Sequence, residues 1–341
     1  MQQRKLFVGS EDIVRLGDSC GGGGQHNSLF ETIISLPNLF CAWREFQKDK
    51  KNRSDVIEFE ANVEESIFRL HKELSDKTYR HGSYEAFWVH DPKLRLIHKA
   101  SVRDRLLHHA IFRVLYPICD KKWIYDSFSS RKNKGTHAAL KRFRDFAWNI
   151  SQNNTRSIWI MKLDIKKYFD SVDQVVLLGL LDKVFGTNKH LDDLLRNNIF
   201  SYSTSRNKGI PLGNLTSQLF ANIYLNPFDQ YVKRCLRVKY YFRYADDIII
   251  VSNSSEYVSR LLPKISDFLE QRLKLTIHPK KISIRRWDKG IDILGFISYP
   301  RMTVMRTSTT KRMMNRLAKQ LSDADFDIQL SALYSRMKFE R

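Results

Sequence analysis

Apolar residues recur at three- and four-residue spacing from Leu29 to about Leu74. Leu36, Phe40, Trp43 and Phe46 share one stripe, which predicts helix. Residues 84–98 instead read as two extended runs separated by a turn at Asp91-Pro92-Lys93. A second helical stretch, rich in Arg and His, follows over 101–117. Ser157 to Leu163 (Ser-Ile-Trp-Ile-Met-Lys-Leu) is strand-like and ends at Asp164. Ser171-Val172-Asp173-Gln174 has the form of a capping box, opening an apolar helix that stops near Gly186. Another helix is predicted over 214–236, with Asn226-Pro227 as the place where it would break. Tyr240 to Val251 forms two β-rich runs on either side of Ala245-Asp246, a hairpin signal. The stretch 309–341 is helical and basic, with one helix around Thr310–Leu317 and another at about Asp325–Met337. Gly21 to Gly24 interrupt the chain near its start, so residues 1–27 are expected to be a flexible tail or loosely docked arm.

Composition adds one strong constraint. The 341 residues are 42% hydrophobic and 28% charged, ordinary for a globular chain, but 58 Lys and Arg against 37 Asp and Glu leave a net charge of +21. Such an excess faces a polyanion, with nucleic acid the first candidate; a merely soluble basic protein or one held on an anionic membrane are the bland alternatives. No run of about 18 apolar residues exists, so membrane insertion is not expected. Met1-Gln2-Gln3-Arg4-Lys5 leads into polar residues rather than the apolar core of a secretory signal. Cys20, Cys41, Cys119 and Cys235 lie far apart without a C-x-x-C pair, which fits neither a zinc site nor a disulfide framework and points to a reducing cytoplasm.

The sharpest chemical signal is Tyr244-Ala245-Asp246-Asp247. Adjacent carboxylates at a tight turn repel each other unless divalent cations neutralise them. A solvated acidic turn would explain the pair alone, but not the run Ile248-Ile249-Ile250-Val251 after it, which implies a buried strand holding the turn. Asp164 closes another apolar strand. Side by side in a sheet, the two strand ends would gather three carboxylates, the ligand set for two Mg²⁺ ions about 3.5–4 Å apart. Asp170 and Asp173 read as helix-entry residues instead. The adjacent His108-His109 cannot face one metal from a helix, and both are read as structural or RNA-facing.

Asp164-Ile165-Lys166-Lys167-Tyr168-Phe169-Asp170-Ser171 resembles the first palm motif of reverse transcriptases, and Tyr244-Ala245-Asp246-Asp247 their metal-binding hairpin. Between them, Gly209-Ile210-Pro211-Leu212-Gly213-Asn214-Leu215-Thr216-Ser217-Gln218 resembles the loop that meets template and nucleotide. Pro92-Lys93-Leu94-Arg95 and Ser129-Ser130-Arg131-Lys132-Asn133-Lys134-Gly135-Thr136 look like the fingers motifs, His278-Pro279-Lys280-Lys281 like the later palm motif, and Ile293-Leu294-Gly295-Phe296 like the primer grip. The match runs in the family's order over roughly 65–300.

The resemblance implies an α+β right-hand polymerase: a tail over 1–27, helices and fingers over 28–156, and a palm of antiparallel sheet with packed helices over 157–300. Part of the fingers would be inserted near 186–210, and a short helical thumb would span 301–341. It also implies an RNA-directed DNA polymerase that adds deoxynucleoside triphosphates to a DNA or RNA primer on an RNA template. Asp164, Asp246, Asp247 and the Ile165 carbonyl would hold two Mg²⁺ ions, with Mn²⁺ able to substitute. Lys93 and Arg95 would hold the triphosphate. Phe169 would exclude a 2′-hydroxyl, Leu212, Gly213 and Gln218 would line the nucleotide site, Lys281 (with Lys280 competing) would donate a proton to pyrophosphate, and Leu294 and Gly295 would place the primer end. Arg103, Arg105, Arg113, Arg131, Lys132, Lys134, Lys141, Arg142 and Arg144 would border the nucleic-acid phosphates.

The loop carries Pro211-Leu212-Gly213 where most relatives have Pro-Gln-Gly. This form is similar to the reverse transcriptases of diversity-generating retroelements, which copy a template RNA with many errors and are found with a small helical accessory protein. The short thumb suggests a weak grip, so help in trans fits that reading. The chain has no room for a ribonuclease H or endonuclease domain. Antiphage defence-associated and retron-like enzymes share parts of the pattern. Three other readings remain. The intact aspartates argue against a silent RNA-binding scaffold and Phe169 against an RNA-directed RNA polymerase. The missing loop Gln and C-terminal extension argue against an intron maturase.

Overall fold

The computed structural model describes residues 28–90 and 93–320. The expectations for 1–27, for Asp91-Pro92 and for a helix near 325–337 lie outside the described residues. The first helical region resolves into α1 (Leu29–Ile34), α2 (Leu36–Phe46), α3 (Ser54–Ala61) and α4 (Val63–Ser75). Ser28 caps α1 in a reciprocal box with Glu31, and the Ser35 hydroxyl accepts from the Asn38 N–H to open α2. The buried stripe of α2 is Leu39, Ala42, Trp43 and Phe46, while Leu36 and Phe40 of the expected stripe are only partly covered.

The two extended runs form a hairpin of β1 (Glu85–His90) and β2 (Leu94–Lys99), pairing Val89 with Arg95. It projects from the body, leaving Trp88 63% and Leu94 58% exposed. Helix α5 (Val102–Asp120) follows, capped by Ser101, and then α6 (Thr136–Ile150).

Strand β3 (Trp159–Asp164) leads through the single turn α7 (Tyr168–Ser171) to α8 (Gln174–Phe185), α9 (Lys189–Phe200) and α10 (Leu215–Gln230). Asp173, not Ser171, caps α8: its carboxylate accepts from the Val175 and Val176 N–H groups at 3.0 and 2.9 Å. Gln174 does not close a capping box. Its buried amide donates to the carbonyls of Ile199, Tyr202 and Gly209, so tertiary partners claim it. The expected stop at Gly186 is present, with φ 76°.

Helix α10 does not break at Asn226-Pro227. It continues to Gln230 and ends in a π turn over Tyr231–Cys235. Ile223, Tyr224, Leu225 and Phe228 are all buried, and packing around the helix outweighs the one backbone hydrogen bond that proline removes.

The hairpin at 240–251 is β4 (Tyr241–Tyr244) and β5 (Asp247–Ser252), followed by α11 (Ser255–Leu273) and β6 (Ser283–Arg286). These strands and β3 form an antiparallel sheet in the order β4-β5-β3-β6. A smaller sheet, β7 (Ile291–Ile293), β8 (Phe296–Ser298) and β9 (Thr303–Met305), precedes α12 (Thr307–Gln320). The four-stranded sheet is covered on both faces. Met161, Leu163, Ile248 and Ile250 enter the main core with α5, α10 and α11, and Ile160, Ile249, Val251 and Phe242 enter a second core with Phe143, Phe146, Trp287 and Ile293. Burial on both faces explains why 248–251 is continuously apolar. The architecture is α+β, as expected.

Several cations expected along nucleic-acid phosphates are instead bound into the fold. Arg103 pairs with Glu73 at 2.8 Å, Arg131 with Asp120 and Arg142 with Asp126 at 2.7 Å, Arg105 with Asp55 and Arg113 with Glu45. Five of these nine cations therefore tie helices to each other or to the loop before α6. His108 and His109 are structural: His108 stacks on His81 and His109 meets Phe46 edge-on. Cys41, Cys119 and Cys235 form no disulfide. Among the described residues no helix is long and apolar enough to cross a membrane.

The histidines carry a prediction. Burial lowers His108 to about 3 and, with nearby Lys50 and Arg105, His109 to about 4. The unfolded chain takes up these protons from about pH 6.5 downward while the folded chain resists, so stability is present above 6.5 and lost as pH falls. Denaturant unfolding at pH 5 should show a loss of about 2–4 kcal/mol relative to pH 7, reduced in a His109→Gln variant. Stability that rises on acidification would contradict this assignment.

Candidate active site

The carboxylates meet because of strand register. In the antiparallel pair β3–β5, Asp164 stands directly opposite Asp247, and Asp247 in turn pairs with Tyr244 of β4. Asp246 sits in the two-residue turn between β4 and β5, preceded by Ala245 at φ 52°, a left-handed backbone. The alternation that sends Ile160 and Val251 into the second core puts Asp164 and Asp247 on that same face, where apolar packing gives way to a cleft. Ile165 is buried at the crossing of β3 with the segment 276–278. The His278 N–H donates to the Asp164 carbonyl at 2.8 Å and the Lys166 N–H to the Thr276 carbonyl at 2.9 Å, which fixes the register.

The cleft, about 770 Å³, is lined by Lys93 from the β1–β2 hairpin, Asp164 and Asp247, Lys162, and Lys280 and Lys281. Lys281 reaches both oxygens of Asp164 at 2.7 Å. Lys162, two residues before Asp164 on the same face, approaches Asp247 at 3.6 Å. Burial, reinforced by Asp164 and Asp247, pushes Asp246 up to about 6; Asp247 is also raised by burial, with Lys162 opposing. Three crowded carboxylates with an ammonium already against one of them make a site that favours added positive charge. Among the described residues no group of three or more His, Cys, Asp or Glu side chains is gathered closely enough to hold a metal ion by itself.

The remaining expected residues surround this centre at different depths. Phe169 is half-buried, its ring edge-on to Tyr168, and its carbonyl accepts from the Ile210 N–H at 2.9 Å. At the other end of that loop, the Leu212 carbonyl accepts from the His98 N–H of β2 at 3.4 Å. The loop therefore ties the α7 turn, which follows the strand carrying Asp164, to the projecting hairpin. Gly213 needs its left-handed φ of 113°, and a Cβ there would press to 3.1 Å from Ile97. Gly213 and Gln218 line a neighbouring cavity rather than the carboxylate cleft. Arg95 is exposed on β2. Leu294 and Gly295 form the β7–β8 turn with φ of 52° and 90°, the pattern of a primed hairpin turn; Leu there stores strain of about 1 kcal/mol.

Two residues of evident importance escaped the sequence reading. Lys162 was legible as a lysine in an apolar strand at the i−2 position to Asp164. Arg243 was legible as an arginine between Phe242 and Tyr244; it is 1% exposed and pairs with buried Asp229. An arginine in such a strand demands a buried acid, and the distant partner is what sequence hides.

"Protein YkfC" of Escherichia coli K12 is 24% identical over 240 residues, 60% of this chain and 62% of that protein. The group II intron-encoded protein LtrA of Lactococcus lactis is 26% identical over 192 residues, 52% of this chain and 30% of its own. The chain thus spans less than two thirds of either relative. In fold it is similar to apo telomerase from Candida tropicalis truncated from its C-terminal domain. That match has 12% identity and a TM-score of 0.50, over 67% of this chain and 55% of that one. The family described as reverse transcriptase (RNA-dependent DNA polymerase) matches residues 90–298, more than half of the chain, a range that holds Asp164, Asp246 and Asp247. On that match the chain belongs to the reverse transcriptase family.

Proposed function

We propose that the chain is an RNA-directed DNA polymerase, adding deoxynucleotides to a primer 3′-hydroxyl on an RNA template. The observation that carries this reading is the register placing Asp164 opposite Asp247, with Asp246 in the adjoining turn. Asp164, Asp246, Asp247 and the Ile165 carbonyl would hold two Mg²⁺ ions, or Mn²⁺ in their place. When bound, such ions activate the primer hydroxyl and neutralise charge on the phosphates. The fit rests on the donor set and on Lys281, whose ammonium lies where a cation beside Asp164 would be welcome.

The protein's own groups would do the rest. Lys93, at the mouth of the cleft, and Arg95, further along β2, would hold the triphosphate as the hairpin approaches. Phe169 would pack under the sugar and exclude a 2′-hydroxyl. Lys281, released from Asp164, would protonate the departing pyrophosphate, with Lys280 beside it. Leu294 and Gly295 would set the primer end. In this reading residues 28–156 are helices and fingers, 157–300 the palm, with 186–210 its fingers insertion, and 301–341 the thumb. Purified protein should extend a primer on an RNA template with Mg²⁺ and deoxynucleotides; no extension with either metal would remove the reading.

Within the family, Leu212 favours error-prone synthesis in a diversity-generating retroelement, assisted by structured RNA and a small helical protein. A glutamine at this position would offer a hydrogen bond near the incoming nucleotide, which leucine cannot. One neutral hydrogen bond contributes about 0.5–1.5 kcal/mol, so Leu212→Gln should lower misincorporation by a few-fold to about tenfold, most visibly opposite template adenines. Sequencing DNA copied by both proteins from one adenine-rich RNA checks this; equal or higher error in the variant would exclude Leu212 from fidelity.

A further inference from the structure

The turn carrying Asp246 and Asp247 is held from behind by one side chain. Arg243 lies on β4 and points to the face away from the cleft, where it is 1% exposed. Its five N–H donors are all engaged. Nε and Nη2 reach the two oxygens of Asp229 at 2.9 and 2.7 Å. Nη2 also donates to the Ser127 hydroxyl at 3.1 Å, and Nη1 to the Asn222 amide oxygen at 3.3 Å. The last donor, on Nη1, bonds the carbonyl of Ala245 at 2.9 Å. Ala245 is the turn residue with φ 52°, a conformation an alanine avoids without external support.

The anchoring groups come from parts of the chain far apart in sequence. Asp229 and Asn222 are on α10, and Ser127 is in the loop before α6. The main chain adds to the junction: the Arg243 N–H donates to the Asp126 carbonyl at 2.9 Å and the Phe128 N–H to the Arg243 carbonyl at 3.0 Å. Tyr241, on the same strand face, donates its hydroxyl to Asp229 as well. A guanidinium suits this role because its planar fork meets a carboxylate in two places while a remaining N–H points elsewhere; an ammonium cannot do both.

We propose that Arg243, clamped by Asp229, is a positioning residue that locks the left-handed turn at Ala245 and so sets the spacing of Asp246 and Asp247 for metal binding. This inference rests on the polymerase reading above. Arg243 touches no reacting atom; it acts on the turn.

The test separates positioning from general support of the fold. Arg243→Lys keeps the buried charge beside Asp229 and loses the fork. The pair Arg243→Met with Asp229→Asn removes both charges together, avoiding an uncompensated buried carboxylate and leaving Tyr241 an acceptor. For each variant, Mn²⁺ would be titrated into the protein and free Mn²⁺ read by electron paramagnetic resonance, with Asp246→Asn as the baseline. Thermal unfolding and primer–template affinity would be measured alongside. The expected result is primer–template affinity within about threefold of wild type, Mn²⁺ affinity about tenfold weaker, and a matching rise in the Mg²⁺ needed for half-maximal extension. Ala245→Gly should then recover most of the lost Mn²⁺ affinity in the Arg243→Lys background, because glycine adopts the left-handed turn without an anchor.

Unchanged metal affinity in both variants overturns the proposal. So does a loss that Ala245→Gly fails to lessen, or failure of both variants to fold, since either makes Arg243 a support of the fold at large. If wild type itself binds no more Mn²⁺ than Asp246→Asn and extends no primer, the polymerase reading is what fails.

Discussion

Asp246→Asn is expected to lower primer extension by at least about a thousandfold while leaving primer–template binding near wild type. The substitution is nearly isosteric, so the turn after Ala245 can persist. What disappears is charge at the most electrostatically stressed position of the site, where burial and two neighbouring carboxylates already hold Asp246 at about 6. A group kept at such a cost to its ionised form gains most from a bound cation, and losing it removes a ligand rather than a contact. A similar loss is expected for Asp164→Asn, which removes a proposed ligand and would also free Lys281 from its 2.7 Å ion pair. Asp170→Asn, exposed six residues on, should change extension little and controls for charge alone. Single-turnover extension rates would decide the matter. Activity within about tenfold of wild type for Asp246→Asn would show that the metal assignment is wrong.

Phe169→Ala is expected to admit ribonucleotides, narrowing sugar discrimination by about 10- to 100-fold with little change in deoxynucleotide incorporation. The backbone of Phe169 is held independently of its ring, through the Ile210 N–H at 2.9 Å, and Tyr168 beside it is anchored by its own hydroxyl to the Ala221 carbonyl at 2.6 Å. Truncation should therefore open space beside the site without moving Asp164. Competing deoxy- and ribonucleoside triphosphates in one reaction, with alkali cleavage of the product to count ribonucleotides, gives the ratio directly. An unaltered preference for deoxynucleotides would place the gate on another residue.

Both expectations start from residues already visible in the sequence, and the reason is chemical. Asp164 and Asp246-Asp247 each close or open a strand of mostly apolar residues, and such strands are recognisable from local pattern because burial on both faces leaves few polar positions inside them. The projecting hairpin, α5, the helix stop at Gly186 and the β4–β5 turn are likewise decided within a few residues by period, turn chemistry and φ preference. What failed was local pattern with a distant competitor. Ser171 and Gln174 have the letters of a capping box, but Gln174 is drawn inward by three carbonyls from 199, 202 and 209, leaving Asp173 to cap alone. Pro227 signals a break, yet packing on nearly every side of α10 carries the helix past it.

Charge was the least legible feature. The excess of cations was plain from composition, but which cations are free depends on where acids fall in space. Arg103, Arg105, Arg113, Arg131 and Arg142 are paired with acids 11 to 68 residues away. The sequence by itself determined the carboxylates, the strands that carry them and the family to which their order belongs. Only the tertiary structure decided that Asp164 faces Asp247, that Lys281 and Lys162 attend them, and that Arg243 and Asp229 meet beneath the turn. Hydrophobic period and turn preference act over a few neighbouring residues, whereas strand register and the pairing of buried charges are settled when segments far apart in the chain pack against each other.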